Sequence, residues 1–209
     1  MIEYYLKFAF IGLCFLIALG SYRFCINKKD WAFLAVAMGF TLLADFFLVL
    51  VHNYVIGVFV FCFVHIAYIF RVSNNRKHNL FHICATVVAG VVLYAVFLFV
   101  PILPPPDVLI ILAMVYATLF SQNLVAHIKY SPAFAATGGT DFELFHFNRK
   151  IMLVGLILFA FCDIHVLMLN LPNYLPVPQE IASWGQTMLW VFYLPSQLLL
   201  SLSAVRWKL

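Results

Sequence analysis

The stretch GLILFAFCDIHVLML, residues 155–169, decides what kind of fold this chain adopts. It is almost entirely apolar, as expected for a helix in lipid, yet it contains the carboxylate Asp163. A charged side chain at the centre of a bilayer costs at least ~2.5–3.5 kcal/mol on insertion scales, so such a residue is by default a candidate for a functional site. Asp163 is therefore the first candidate site residue, and its partners have to come from the other apolar segments.

The composition is that of an integral membrane protein. Of the 209 residues, 66% are hydrophobic and 10% are charged, and the mean hydropathy is +1.04. A soluble domain has about 25% charged residues, so we expect one transmembrane domain over residues 1–209 and no separate soluble domain. The first apolar run lacks a basic region before it and a small-residue cleavage site, which predicts a retained helix. Nothing resembles a nucleic-acid-binding patch, and the five cysteines lack metal-ligand spacing.

Seven apolar runs of about 20 residues predict an all-α bundle of seven transmembrane helices. They cover roughly residues 4–21, 31–50, 54–71, 80–100, 108–128, 150–170 and 183–204. Polar or proline-rich breaks separate them, such as RVSNNRKHN after the third run and PILPPPD after the fourth. Proline lacks the N–H that a helix interior needs, so the proline-rich breaks are expected to end helices.

The basic residues predict the orientation. Eleven of the twelve Lys and Arg residues lie in the breaks after the first, third and fifth runs or in the C-terminal tail, and only Lys7 lies on the other side. Cytoplasmic loops carry the excess of Lys and Arg, so we expect the N-terminus outside and the C-terminus in the cytoplasm. The expected location is a bacterial cell membrane.

Polar side chains on five of the predicted helices fall within one band of depth. Counted from the outer helix ends at ~1.5 Å per residue, they lie about 9 to 21 Å deep. In order of depth they are Asp45, Asp163, Tyr116, Tyr193, His65 and Gln197. Thr41 and Tyr68 share helix faces with Asp45 and His65. The alternatives are tyrosines of an interfacial belt, Gln or Thr that join helices, and a histidine of the core.

Two buried carboxyl groups near one another suit acid catalysis. One stays protonated and acts as a general acid while the other stays ionised, as in glycosidases that pass through an oxocarbenium-like state. We expect no cofactor. A metal hydrolase with Asp45, His65 and Asp163 as ligands is one alternative, although no HExxH or paired-cysteine motif is present. A proton-coupled transporter or a small-lipid-binding protein would also use intramembrane Asp and His residues.

Four stretches together resemble one known family. ADFFL (44–48) is similar to its Gly/Ala-Asp-x-x-Leu motif, and GVFVFCFVHIAY (57–68) to its Gly-x3-Phe-x3-His-x2-Tyr motif. GLILFAFCDIHVL (155–167) is similar to its Gly-Ala-x-x-Phe-x-x-Ser-Asp motif, and YLPSQLLL (193–200) to its terminal Tyr-x3-Gln-Leu. In order and spacing, residues 31–205 resemble the YhhN/lysoplasmalogenase family, which is placed with alkaline ceramidases and adiponectin-receptor-like proteins in a wider group of seven-span hydrolases.

The resemblance implies a hydrolase that cleaves the vinyl ether bond of a lysoplasmalogen, a lysophospholipid with a single chain. Asp45 and Asp163 would be the catalytic pair, and His65 would orient groups or relay a proton. Substrate or water would be positioned by Thr41, Tyr68, Tyr116, Cys162, Tyr193 and Gln197. The chain departs from the family at Cys162, where serine is usual and where a thiol donates only weakly. It also has seven predicted spans where eight are common, and it lacks the visible three-histidine zinc set of the wider group.

Overall fold

A computed structural model of the chain describes residues 2–72, 76–99, 107–129 and 140–207. This part of the chain forms seven long α-helices and no β-strand, which confirms the all-α prediction. The helices are α1 (Ile2–Gly20), α2 (Lys28–Asp45), α3 (Tyr54–Val72), α4 (Arg76–Phe99), α5 (Val108–Lys129), α6 (Thr140–Asn170) and α7 (Gln179–Leu202).

Six of these helices, α1 to α6, contain stretches that are long and apolar enough to cross a membrane. Their outer surfaces are apolar as well, because many large hydrophobic side chains are exposed. On α4, Val91 is 64% exposed and Phe99 83% exposed. Contiguous exposed apolar surface of this kind has a high cost in water but not in lipid. The chain is therefore a multi-pass membrane protein.

The sixth helix extends beyond its predicted transmembrane span. The apolar pattern predicts a span over roughly residues 150–170, and the stretch apolar enough to cross a membrane is Phe147–Asn173. The helix itself begins earlier, at Thr140. An apolar run ends where charged residues begin, but a helix needs only backbone hydrogen bonds and can continue beyond the lipid. The PILPPPD break except its last residue, Asp107, lies outside the described residues, as do residues 73–75 and 130–139 and Lys208.

Six helices form a closed ring, and α4 lies outside it. Around the ring, each helix packs against the next in the order α1, α2, α3, α5, α6, α7, and α7 returns to α1. The fourth helix packs on α5 and, more weakly, on α3. The main core fills the ring and consists of apolar side chains such as Ile11, Leu34, Val64, Leu156 and Leu200. The ring thus encloses a largely apolar interior, to which every helix except α4 contributes side chains of this core.

A buried ion pair joins four elements at the end of the bundle where the basic residues cluster. Nε and Nη2 of Arg71 each donate to a different carboxylate oxygen of Asp30, both at 2.8 Å. Nη1 of Arg71 also donates to the hydroxyl of Ser203, at 2.8 Å, and Nη2 to its carbonyl, at 3.0 Å. Sδ of Met152 lies 3.3 Å from Nη1. One guanidinium group therefore joins the start of α2, the end of α3, α6 and the residue after α7.

Helices α6 and α7 approach each other closely near the start of α7. A Cβ atom added to Gly185 would come within 2.7 Å of the backbone nitrogen of Leu169 and 2.8 Å of the carbonyl oxygen of His165. Both atoms belong to the backbone of α6 and cannot move aside as a flexible side chain can. Small residues at such positions let membrane helices pack backbone to backbone. The tight contact between α6 and α7 therefore depends on glycine at this position.

We expect Gly185→Ala to destabilise the bundle, because the added methyl group forces α6 and α7 apart. Overpacking of this kind typically costs about 1–3 kcal/mol. Thermal unfolding of the purified protein in detergent measures the effect. Gly12→Ala on α1 is the matched control, since a Cβ there would meet nothing within 4 Å. It should leave the melting temperature unchanged or raise it, and equal losses in both variants would contradict the explanation.

Candidate functional site

The first carboxylate, Asp45, lies where α2 changes its geometry. It is the last α-helical residue, and a π-helical turn, Phe46–Leu50, follows it. Wider turns of this kind are frequent at functional sites. Asp45 is 3% exposed, and its Oδ2 accepts a hydrogen bond of 2.6 Å from the hydroxyl of Tyr193 on α7. A buried carboxylate on one side of the ring is therefore held by a donor from another helix.

The connection after Asp45 is compact, which keeps the end of α2 in place. His52 has a φ of 57°, in the left-handed region that few non-glycine residues adopt. The N–H of Asn53 donates to the carbonyl of Phe47 at 2.8 Å, and its Oδ1 accepts from the N–H of Ile56 at 3.1 Å. This last bond satisfies one of the free N–H groups at the start of α3. The VHNY break is thus a tight turn that joins α2 to α3.

The second carboxylate, Asp163, is held in the same manner by another tyrosine. Its Oδ2 accepts a hydrogen bond of 2.9 Å from the hydroxyl of Tyr116 on α5. Both residues are partly buried, so this pair is less enclosed than the first. Two Asp–Tyr pairs, one between α2 and α7 and one between α5 and α6, therefore face the interior of the ring.

Aromatic rings connect the two pairs. The Phe159 ring lies 5.7 Å from that of Tyr193 and 5.8 Å from that of Phe61, and the Phe61 ring lies 6.2 Å from that of Tyr116. Cys162, next to Asp163 in the chain, is 4% exposed. One cluster of aromatic rings therefore links the two Asp–Tyr pairs.

His65 lies beside this site but is held by a residue that the sequence did not single out. Its Nδ1 is 3.3 Å from Nδ2 of Asn123 on α5, and its ring lies edge-on to that of Tyr116 at 4.9 Å. Both His65 and Asn123 are almost completely buried, at 1% and 0% exposure. Asn123 follows Tyr116 by seven residues, two helical turns, so a search for polar residues on the face of Tyr116 would have found it. His65 is therefore connected to Asp163 only indirectly: it packs on the ring of Tyr116, and the hydroxyl of Tyr116 donates to Asp163.

The remaining predicted residues lie further toward the basic end. Thr41 is 1% exposed and its hydroxyl donates to the carbonyl of Ala37 in its own helix, at 3.0 Å. The hydroxyl of Tyr68 lies 3.6 Å from Sδ of Met38. Gln197, one turn after Tyr193, is 1% exposed, and its amide nitrogen and oxygen both lack a hydrogen-bond partner within the described residues. These three side chains lie inside the ring, on the side of the two carboxyl groups that is nearer to the basic end of the bundle.

A metal centre would need several ligands close together. Among the residues that the structure describes, no three His, Cys, Asp or Glu side chains are grouped closely enough to hold a metal ion. The polar groups that do meet are carboxyl groups, hydroxyls, an imidazole and amides. Such groups can hold a proton, stabilise a nearby positive charge and orient a water molecule.

Comparison with known proteins gives one match. The chain matches no curated protein and no solved structure. The sequence model of the YhhN family, in contrast, matches residues 2–204, which is nearly the whole chain. All four motif stretches and both Asp–Tyr pairs lie within the matched region. The chain therefore belongs to the YhhN family.

Proposed function

We propose that this protein is an intramembrane lipid hydrolase that cleaves the vinyl ether bond of a lysoplasmalogen. The observation that carries the proposal is the site with two carboxyl groups, Asp45 and Asp163, each held by a tyrosine hydroxyl inside an apolar ring of helices. Membership of the YhhN family is consistent with a hydrolase of membrane lipids. The products would be a fatty aldehyde and a glycerophospho-alcohol.

The two Asp–Tyr hydrogen bonds differ in a way that assigns roles to the carboxyl groups. The bond from Tyr193 to Asp45, at 2.6 Å, is shorter than the bond from Tyr116 to Asp163, at 2.9 Å. Hydrogen bonds to an ionised oxygen are on average shorter than those between neutral groups, which supports a negative charge on Asp45. We therefore assign Asp45 as the anion and Asp163, the less enclosed group, as the acid that reaches the substrate.

The chemistry follows from this assignment. The Asp163 carboxyl group donates its proton to the β-carbon of the vinyl ether, and positive charge develops on the α-carbon and the ether oxygen. The Asp45 carboxylate stabilises that charge across the site. Water then adds to the α-carbon and returns a proton to Asp163. The hemiacetal collapses when its hydroxyl proton passes to the ether oxygen, which leaves as the alcohol. One water molecule is consumed and both carboxyl groups return to their starting states.

The neighbouring residues would position the reacting groups. His65 contacts Tyr116 and not the carboxyl pair itself, so it acts on Asp163 through the tyrosine. The Gln197 amide is buried without a partner within the described residues, and buried amides usually bind ordered water or a ligand. We therefore place the hydrolytic water between Gln197 and the pair. Thr41 and Tyr68 would line the same interior, and Cys162 would take the place of the family serine between the two carboxyl groups.

We further propose that α7 is a seventh transmembrane helix. Its 24 residues are as many as those of α4, but its polar side chains lower its hydropathy. Those polar side chains face the interior, since Tyr193, Ser196, Gln197 and Ser201 are at most 4% exposed, whereas Val191 on the outer face is 55% exposed. Seven spans would put the two termini on opposite sides of the membrane, and the distribution of Lys and Arg supports an N-terminus outside a bacterial cell membrane and a C-terminus in the cytoplasm. Lys7, the one basic residue on the outer side, is paired locally with Glu3.

Replacement of either carboxylate by its isosteric amide should abolish most activity. We expect Asp45→Asn and Asp163→Asn each to lower kcat for lysoplasmalogen cleavage by roughly 10²-fold or more, because one loses the anion and the other the acid. The measurement is aldehyde release by purified, monodisperse protein in detergent. Asp107→Asn is the matched control, because Asp107 is an exposed carboxylate at the start of α5.

Each outcome of this assay has a definite meaning. Near-native rates in both site variants would show that the pair is structural. A native protein that releases no aldehyde in detergent would favour the transporter or lipid-binding alternative, because transport requires sealed vesicles and hydrolysis does not. Proton uptake into vesicles containing the protein, driven by a candidate lipid or solute, would then be the decisive measurement.

Removal of the tyrosine hydroxyls tests the role of the hydrogen bonds separately from packing. Tyr193→Phe and Tyr116→Phe keep the rings that pack on Phe159 and Phe61 but leave the carboxyl oxygens without a donor. A hydrogen bond to a charged group is worth about 1.5–3 kcal/mol, so we expect kcat to fall about 10- to 100-fold in Tyr193→Phe and less in Tyr116→Phe. Thermal unfolding of the same variants measures how much of the loss is a loss of stability, since a buried acceptor left without its donor also costs about 1–3 kcal/mol. Equal rates in the native protein and both variants would contradict the assignment of charge.

The orientation can be tested by labelling introduced cysteines in a Cys25→Ser/Cys84→Ser background. Asn173→Cys lies in the exposed turn between α6 and α7 and should react with a membrane-impermeant maleimide in intact cells. Lys77→Cys, exposed at the start of α4, should react only after the membrane is permeabilised. The reverse pattern would overturn the proposed orientation.

A further inference from the structure

The ring of helices is least closely packed between α5 and α6. Among the residues that the structure describes, these two helices make a weaker contact than any other neighbours in the ring. In the middle of the bundle, the rings of Phe120 and Phe159 stack across the boundary with their centroids 5.9 Å apart. About one turn further from the basic end, the hydroxyl of Tyr116 donates to Asp163 at 2.9 Å. The proposed acid therefore lies at the weakest contact of the ring.

The facing sides of α5 and α6 change from buried to exposed at the level of this hydrogen bond. Phe120 is 8% exposed and Phe159 is 4% exposed. Seven residues from each of them, two turns further from the basic end on the same faces, lie Ala113 and Val166. Both are exposed, Val166 to 39%. Leu167, one turn beyond the carboxylate on α6, is 64% exposed. The two helices therefore stop packing against each other beyond the Tyr–Asp bond.

This opening is apolar, and it ends at a carboxyl group. We name it the α5–α6 window, and the side chains that border it are those of Ala113, Val166 and Leu167. Its inner edge is the bond between Tyr116 and Asp163, two residues that are themselves only partly buried. The rest of the outer surface of the helices faces lipid in the same way, but the window adjoins the candidate site directly.

The depth of the window matches the position of the reacting bond in a membrane lipid. Asp163 lies seven residues before the end of α6, so it is about 10 Å below that end. The head-group layer takes up about 5–8 Å on each side of a bilayer. In a lysoplasmalogen, the vinyl ether joins the glycerol to the hydrocarbon chain and so lies just below the head group. A lipid in the leaflet at this end of the bundle thus carries its vinyl ether close to the depth of Asp163.

We propose that a single-chain lipid enters the site sideways from the bilayer through the α5–α6 window. Its chain lies against Val166 and Leu167, its vinyl ether reaches Asp163, and its head group stays at the membrane surface. This inference rests on the proposed function for the identity of the lipid. Entry from the lipid keeps the apolar chain out of water and keeps the polar head group out of the apolar interior, and both exposures would be unfavourable.

Photo-crosslinking shows where a bound chain lies. The probe is a 1-O-alkyl lysophosphatidylethanolamine with a diazirine in its saturated chain, which lacks the double bond that the proposed acid protonates. It is irradiated with the purified protein in detergent, and labelled peptides are identified by mass spectrometry. We expect label on residues 109–116 and 163–170 that excess lysoplasmalogen displaces. Label spread over outward faces such as that of α4, or label that lysoplasmalogen does not displace, would overturn the proposal.

This measurement needs no turnover, so it separates the window from the proposed reaction. Displaceable label at the window of a protein that releases no aldehyde would support the window and contradict the hydrolase. Aldehyde release without label at the window would contradict the window and leave the hydrolase standing.

A bulky side chain in the window should hinder entry of the lipid without altering the carboxyl groups. For Leu167→Trp we expect the KM for lysoplasmalogen to rise about tenfold and kcat to change less, because the loss affects binding and not the chemical step. Leu6→Trp on α1 is the matched control: Leu6 is 65% exposed and, like Leu167, lies about one turn from the end of its helix. The KM of Leu6→Trp should equal that of the native protein.

A variant on the other side of the window keeps the kinetic test decisive if Leu167→Trp does not fold. Ala113→Trp fills the window from α5 and should raise KM in the same manner. A folded, monodisperse Leu167→Trp or Ala113→Trp protein with native KM would contradict entry through the window, as would an equal rise in Leu6→Trp.

Discussion

The organisation of this protein depends on the need to satisfy carboxyl groups inside an apolar ring of helices. Neither Asp45 nor Asp163 can rely on bulk water, so each requires a donor from the protein itself. Tyr193 and Tyr116 supply these donors through hydroxyls at 2.6 and 2.9 Å. Each bond joins two helices: the one from Tyr193 to Asp45 connects α7 with α2, and the one from Tyr116 to Asp163 connects the neighbours α5 and α6.

A buried charged group needs a partner, and the two ends of the bundle supply partners of different kinds. At the basic end, Arg71 neutralises Asp30 with two 2.8 Å bonds and binds Ser203, so that the charges pair completely and the helices are fastened together. At the other end, the carboxyl groups are held by neutral hydroxyls. A neutral donor orients a carboxyl group without cancelling its charge, which leaves that charge available for chemistry. The structural ion pair and the carboxyl groups proposed to react thus differ in the kind of partner.

Close packing between α6 and α7 limits how far the side chains of Tyr193 and Asp163 can move. Gly185 brings the backbones of α6 and α7 together, and Ser196 of α7 donates to the carbonyl of Gly155 in α6 at 2.9 Å. These contacts lie on either side of the segment of α7 that contains Tyr193 and on the same helix as Asp163. Rigid packing of this kind holds reacting groups in position, and small displacements of such groups have large effects on rate.

The sequence alone determined that the chain is a helical membrane protein, and it identified both carboxyl groups, because a polar residue stands out in a long apolar run. It also determined the four motifs by which the family was recognised. Only the tertiary structure decided which donor holds which carboxyl group, since Tyr193 is far from Asp45 in sequence. It also revealed Asn123 as the partner of His65 and α6 as starting at Thr140. Hydropathy indicates whether a segment is more stable in lipid or in water. Which side chains meet across a bundle depends on the rotation and register of each helix, and these are set by the packing of all the helices together.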